Sequence, residues 1–443
     1  MSFLIKKPNN IYYILMPILA VTSFLTWYLK ASIVDNIIIF GIIMLLLSIL
    51  KQPTTILMIV VLFAIPATYS KDLYLLYQLL FVYVVIYGLF RMINKNIKLK
   101  GILYIPLLIS IILSLLTLIY SPARLDGVAE FLVIVQGFIA YLIFRNSDSE
   151  NNLTLNHLSW LLSLLLLVVG MQYFLLTYQY FPNMNTKEPL SNFWANANLV
   201  AALLGLLWFP SLYKYKEAKN NKWILLYLPL ELLVVYAIYM SKSRGLYFGF
   251  IISFLVIFAK LFKVKLKNIV KLLMIFFIVF LTFISLMVLI RDVIPNFYNT
   301  INRFSTGRIR IYEIALSAIN NPLKLLFGVG LGSARFHSSL GGSGNIYYHS
   351  WIIHILSTRG LINLLIQLFI IYKVLKLLTF NEDNNYLFFL GIVVYLGHAL
   401  IDIGYDYQQL GIIYYMIIAV IEKINLDLIR KNNVIEEGGF QIT

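Results

Sequence analysis

The 443-residue chain contains no cysteine. That absence excludes disulfides, thiolate nucleophiles and cysteine metal sites together. Charge is also thin, at 12% Asp, Glu, Lys and Arg with 61% hydrophobic residues, where soluble domains carry roughly 25% charged residues. With a mean hydropathy of +0.85, a soluble globular enzyme is excluded. Acidic residues are the scarcer sign, 19 against 35 Lys and Arg, for a net charge of +16. In a soluble protein that excess would point to nucleic acid. Here most of the lysine sits in short loops between apolar runs, so no nucleic-acid partner is expected. The sequence also has no internal repeat, no low-complexity tract, and no small-residue cleavage site after its first apolar run, which is read as a retained span.

What is present is a series of apolar runs, each long enough to cross a bilayer at about 20 residues. They predict an all-α fold, one polytopic helical membrane bundle over residues 1–443 with about 12–14 transmembrane helices. The expected spans are 11–29, 32–50, 54–69, 73–90, 101–120, 127–144, 158–178, 194–212, 223–240, 246–262, 272–290, 351–372, 384–401 and 409–421. Loop lysines alternate in side. Arg91 to Lys100, Lys214 to Lys222, Lys260 to Lys271, and Lys373 with Lys376 fall on the cytoplasmic side, and both termini with them. Turns at Lys30, Ser70 to Asp72 and Arg124 to Asp126 fall outside.

Residues 291–350 are different, a polar segment of roughly 60 residues, well beyond ordinary loop length. Parity makes it one long extracytoplasmic loop. Ser305-Thr306-Gly307 is expected to cap a helix over 308–319, with Ile309, Tyr312, Leu316 and Ile319 on one face, ended by Asn320-Asn321-Pro322.

Arginine and lysine segregate. Arg124, Arg244, Arg291, Arg303, Arg308, Arg310 and Arg335 all lie on the expected outer side, whereas the cytoplasmic loops are mostly lysine. Arginine offers a planar fork of donors that matches phosphate oxygens bidentately. From 291 to 350 the acids are Asp292 and Glu313, so a diphosphate ligand would balance the cluster. Lipid headgroups would satisfy single arginines equally well. Arg244, in Ser241-Lys242-Ser243-Arg244-Gly245, stands at a span end, where a snorkelling anchor is the alternative.

His349 lies where the loop meets the next span, and a neutral imidazole there could act as a general base or simply anchor the loop. His354 is five residues on and off the same helical face, so no zinc site is expected. Gly328, Gly330 and Gly332 lack the strand and helix of a dinucleotide-binding unit and are read as a sharp backbone turn. Asp402 and Asp406 are read as solvated loop carboxylates, and Glu130 and Glu231 as sparse mid-span charges. Tyr298, Phe304, Tyr312, Tyr347 and Tyr348 would suit stacking on sugars, although interfacial aromatic belts look alike.

Taken together, SNFWANANLVAALL, SKSRG, STGRIRIYEIALSAINNPLKLLFGVGLGSARF and YHSWIIHILSTRGLINLL resemble the O-antigen ligase and polymerase superfamily over roughly residues 190–365. Two positions depart from its usual pattern. Thr358-Arg359-Gly360 stands where many members have a glutamate before the turn, and Asn363 replaces a later glycine.

The resemblance implies a metal-independent, cofactor-free inverting glycosyltransferase at the outer face of the cytoplasmic membrane. It would take its glycan from a polyprenyl-diphosphate-linked oligosaccharide donor and pass it to a glycan acceptor. His349, Arg244 and Arg308 would be catalytic, and Arg310, Asn198, Arg303, Arg335 and Tyr348 would bind substrate. Membrane lipids, a flippase and a chain-length regulator would be its partners. Heavy use of Ile, Lys, Asn and Tyr suggests an AT-rich genome of the kind found in Gram-positive bacteria. That favours a polymerase over a ligase acting on a lipid A-core or wall polymer. A flippase or exporter of the same lipid-linked glycan would instead line its spans with charge and show repeat symmetry.

Overall fold

A computed structural model describes residues 101–146, 155–179, 197–217, 225–289 without 226, 293–340 without 306, 347–379, 382–402 and 408–438, with isolated positions between 17 and 94. The four expected spans before residue 91 lie largely outside the described residues. Arg291, Asp292 and Asp406 lie outside them entirely. All described elements are helical, with no β-strand among the described residues.

The helices are α1 (Tyr104–Ile119), α2 (Arg124–Arg145), α3 (Leu155–Gln179), α4 (Ala197–Ser211), α5 (Leu228–Met240), α6 (Arg244–Leu261) and α7 (Leu266–Leu289). They continue as α8 (Pro295–Phe304), α9 (Arg308–Ser317), α10 (Pro322–Phe327), α11 (Ser333–Leu340), α12 (Trp351–Leu378), α13 (Glu382–Ile401) and α14 (Gln408–Gly438). Stretches of α2, α3, α6, α12 and α13 are long and apolar enough to cross a membrane. The chain is a polytopic helical membrane protein. The expected boundaries agree with these helices to within a few residues, except that α14 runs well past Ile421.

The chain divides into two compact units, one of residues 1–99, 139–243 and 415–420, the other of 100–138, 244–414 and 421–443. In the first, α4 gives way after Pro210 to a 3-10 turn, Leu212–Glu217. Ser159 donates its hydroxyl to the Pro210 carbonyl at 2.8 Å and accepts from the Lys214 amide at 2.9 Å. Lys214, expected in the loop after this span, lies in that 3-10 turn. Its ammonium is fully buried, 2.9 Å from Glu231, and donates to Ser163. A buried lysine is tolerated because a carboxylate and a hydroxyl meet it there.

In the second unit, α6 and α13 run antiparallel with their backbones in close approach. Any Cβ at Gly245 would press on the His398 ring, at Gly249 on the Val394 carbonyl, and at Gly397 on Gly249 itself. Small residues at helical spacing allow such contact in a membrane bundle. At its other end, α6 is closed by bonds from Val264 N–H to Ala259 at 3.1 Å and from Lys263 N–H to Lys260 at 2.9 Å, with Lys263 left-handed at φ 60°. Exposed Ile251, Phe254, Leu255 and Phe258 on α6, and Leu272, Ile275 and Val279 on α7, are surface that lipid covers.

The segment between α7 and α12 folds into four short helices. The expected helix over 308–319 is α9, which ends at Ser317. Gly307 at φ 82° precedes it, the Ser305 hydroxyl of the expected cap accepts from the Ile309 amide at 3.5 Å, and Asn302 from the end of α8 accepts from the Arg310 amide at 3.1 Å. A glycine takes that left-handed turn without the Cβ penalty. The buried stripe is Ile309, Ile311, Tyr312 and Ala315, rotated slightly from the expected face, and it packs with Met287, Tyr298, Tyr348 and Ile353. Asn321 caps α10 through the Lys324 amide at 2.9 Å, with Pro322 at its first position.

Candidate functional site

His349 is the last backbone irregularity before α12. Its φ of 49° is uncommon for a residue with a side chain. The Tyr312 hydroxyl, on α9, donates to its carbonyl at 2.9 Å. Ser350, extended at φ −156°, then leads into α12.

The His349 ring meets α13. Its Nδ1 lies 3.3 Å from Asp402 Oδ1, and the other oxygen of Asp402 lies 2.9 Å from the Arg308 guanidinium. A second nitrogen of Arg308 donates to the Ile401 carbonyl. Asp402, expected to be a solvated loop carboxylate, is thus 1% exposed and fixed from two sides. Burial by itself would raise its pKa. The hydrogen bond from His349, with the charges of His398, Arg308 and His349, outweighs burial and holds the carboxyl at about 2. An ionised carboxylate only accepts, so in the neutral imidazole the His349 proton belongs on Nδ1 and the lone pair on Nε2. Burial pushes the neighbouring Tyr312 phenol well above its usual range, so it stays a hydrogen-bond donor.

Arg308 and Arg310 stand about 200° apart around α9, given 3.6 residues per turn. Arg308 turns to α13, and Arg310 is exposed. Arg303, in the last turn of α8, is exposed as well. Arg244 opens α6, and the adjacent Gly245 lies against His398, whose carbonyl accepts from the Asp402 amide at 3.0 Å. Arg244 therefore starts beside the end of α13 that carries Asp402. Arg335 is 3.7 Å from Asp126, with both side chains substantially exposed at 57% and 40%; such a pair contributes little. Tyr348 is wholly buried beneath the loop, its ring 5.9 Å from that of His354. Asn198 lies at the start of α4, in the first unit.

The GVGLG stretch is the expected turn, with Gly328, Gly330 and Gly332 at φ 81°, 112° and 77°. Its amides are not turned to a phosphate. Val329 N–H donates to the Ser357 carbonyl at 2.8 Å and Gly330 N–H to Thr358 at 3.1 Å. Those carbonyls are available because α12 breaks at Gly360, with φ 81° and ψ 172°. Both departures from the family pattern are matched by neighbours. Arg359 lies 3.1 Å from Glu130, and Asn363 bonds with Ser110 at 2.9 Å and Ser114 at 3.1 Å.

Sequence reasoning missed Asp402 and the partners of Glu130. The signal for Asp402 was an acid directly after a long apolar run, in a chain whose 291–350 segment holds more arginine than acid. Among the described residues no three of His, Asp and Glu are grouped to hold a metal ion.

No curated protein and no solved structure matches the chain significantly. Residues 230–368 match the family model described as O-antigen ligase, a stretch that takes in Arg244, Arg308, the glycine turn and His349. Over residues 230–368 the chain is thus similar to the O-antigen ligase family, matching the O-antigen ligase and polymerase superfamily.

Proposed function

We propose that the protein is a bacterial surface-polysaccharide polymerase. It transfers a glycan from a polyprenyl-diphosphate donor to the hydroxyl of an acceptor repeat at the outer face of the cytoplasmic membrane. The observation that carries this reading is the His349–Asp402–Arg308 array.

In an inverting displacement the acceptor oxygen attacks the anomeric carbon as the bond to the diphosphate oxygen breaks. The hydroxyl proton passes to His349 Nε2, and the electron pair of the broken bond leaves on the diphosphate. Asp402 orients the imidazole and stabilises the imidazolium that forms, as a buried carboxylate behind a histidine does in other proton relays. Arg308 balances Asp402, so its positive charge is partly spent. Arg244, beginning a helix beside that array, and the exposed Arg310 and Arg303 meet the diphosphate instead. The residues themselves supply base and counter-charge, so the reaction written this way draws on no metal or cofactor. The loop lysines favour an orientation in which 291–350 is extracytoplasmic.

Purified protein supplied with a repeat unit on a polyprenyl diphosphate should yield a ladder of products. A single transfer to an unrelated acceptor would identify a ligase. Absence of any transfer would overturn the reading.

A further inference from the structure

Glu130 is a buried carboxylate in α2, 5% exposed, that the proposed chemistry does not use. It collects three donors from places far apart in the chain. Its Oε1 lies 2.6 Å from His354 Nε2 and 3.1 Å from the Arg359 guanidinium, and its Oε2 accepts from the Gly332 amide at 2.8 Å. His354 is on the first turns of α12, Arg359 is the last residue before the break at Gly360, and Gly332 ends the glycine turn.

Those three points bound one rigid piece, residues 351–359, which follows His349 directly. The piece is short, and beyond it α12 is broken, so the remainder of that helix cannot set its angle. The glycine turn holds it from one side through the Ser357 and Thr358 carbonyls. A Cβ at Gly360 would strike the Leu326 carbonyl and the Gly328 amide, so turn and break fit each other closely. Glu130 ties the turn, the middle of the piece and its far end to α2. The rings of Tyr347 and Tyr348, 5.4 and 5.9 Å from His354, carry that fixed point back to the residues just before His349.

Protonation follows from the partners. Glu130 opposite Arg359 makes a neutral pair in a buried place, and His354 must donate from Nε2 to add to it. Its Nδ1 then has no proton, consistent with that buried atom having no hydrogen-bond partner. A charged His354 would leave an N–H buried without an acceptor, which is costly. His354 is thereby held by its Nε2 contact to Glu130.

We infer that Glu130, His354 and Arg359 are positioning residues, a clamp that locks the broken start of α12 and the glycine turn so that His349 is held at its reactive angle. The inference rests on the transfer reading proposed above for its consequence in rate, but the clamp itself can be read without catalysis. In the cysteine-free full-length chain, Val329→Cys places a thiol in the turn at a site 6% exposed, shielded while the clamp is closed. His354→Leu removes the donor and keeps bulk without unpairing Glu130 from Arg359. His354→Gln restores a donor of similar reach.

His354→Leu should raise the labelling rate at position 329 by about 10-fold or more and lower kcat by about 10-fold. KM for the lipid-linked donor should stay within about twofold and the pH profile should keep its shape, since His354 moves no proton. His354→Gln should recover most of both. Unchanged labelling and kcat in His354→Leu would overturn the inference. So would a fall in kcat with a displaced pH profile and unchanged labelling, which would make His354 a direct proton carrier. If the parent chain transferred no glycan while labelling still depended on His354, the transfer reading would fall and the clamp would stand.

Discussion

His349 Nδ1 faces Asp402 Oδ1 at 3.3 Å, across 53 positions of sequence. The carboxylate that partners the histidine comes from the end of α13 and not from the histidine's own segment. That relationship orients a lone loop histidine, which the proposed mechanism uses as its base, and it sets the first test.

Asp402→Asn keeps the shape and removes the charge. Turnover should fall by about 10² or more, because an amide can hold the wrong imidazole tautomer. A depressed carboxyl pKa stabilises the folded state fully above the unfolded value, near 3.8, and that contribution fades as pH falls through about 2. The melting temperature of Asp402→Asn in detergent should therefore trail the parent by a constant margin from pH 7 to 5, and the two should converge below pH 4. A product ladder of normal rate would remove Asp402 from the mechanism.

His349→Ala should lower turnover by about 10² to 10⁴ while protein level and donor binding persist, since the proposed mechanism assigns the diphosphate to the arginines and not to the imidazole. Isothermal titration with the lipid-linked donor separates the two. Joint loss of binding and of folded protein would make His349 structural.

Arg244→Lys should retain little activity, because the proposed contact needs a planar fork and not only a positive charge. Polymer length near normal on a gel would favour a snorkelling anchor at the helix end.

Arg308 and Arg310 should behave differently despite their spacing. Arg308→Lys breaks the bonds to Asp402 and Ile401 and should reduce kcat and melting temperature together. Arg310→Lys should leave the melting temperature unchanged and raise donor KM several-fold. Equal effects would contradict their opposed faces on α9.

A single cysteine at Ser338 should react with an impermeant reagent in intact cells, as the loop lysines require. Labelling only after the cytoplasmic side is opened would invert the topology and remove the proposed site from the outer face.

Much of this was legible from local pattern. The helices α1 to α7, α12 and α13 follow apolar runs, and such runs must form helices in lipid because backbone groups have no other partners. Arg308 and His349 stood out by residue type in a segment too polar to cross the membrane. The face of α9 was read less well, and its cap only in part. Ser305 meets the Ile309 amide as expected, but Asn302, eight residues before Arg310, supplies a second bond that the capping rule does not reach.

The sequence by itself determined that this is a helical membrane protein with an arginine-rich polar segment before a histidine, because hydropathy and charge act through solvent and need no fold. Only the tertiary structure decided which acids matter. Asp402 reads in the chain as a solvated loop carboxylate and Glu130 as a sparse mid-span charge, yet one joins Arg308 to His349 and the other joins Arg359, His354 and Gly332. A buried charge is tolerated only where its partners converge, and those partners lie on helices whose neighbours are set by packing, through contacts such as Gly249 on Val394 and Gly360 on Leu326.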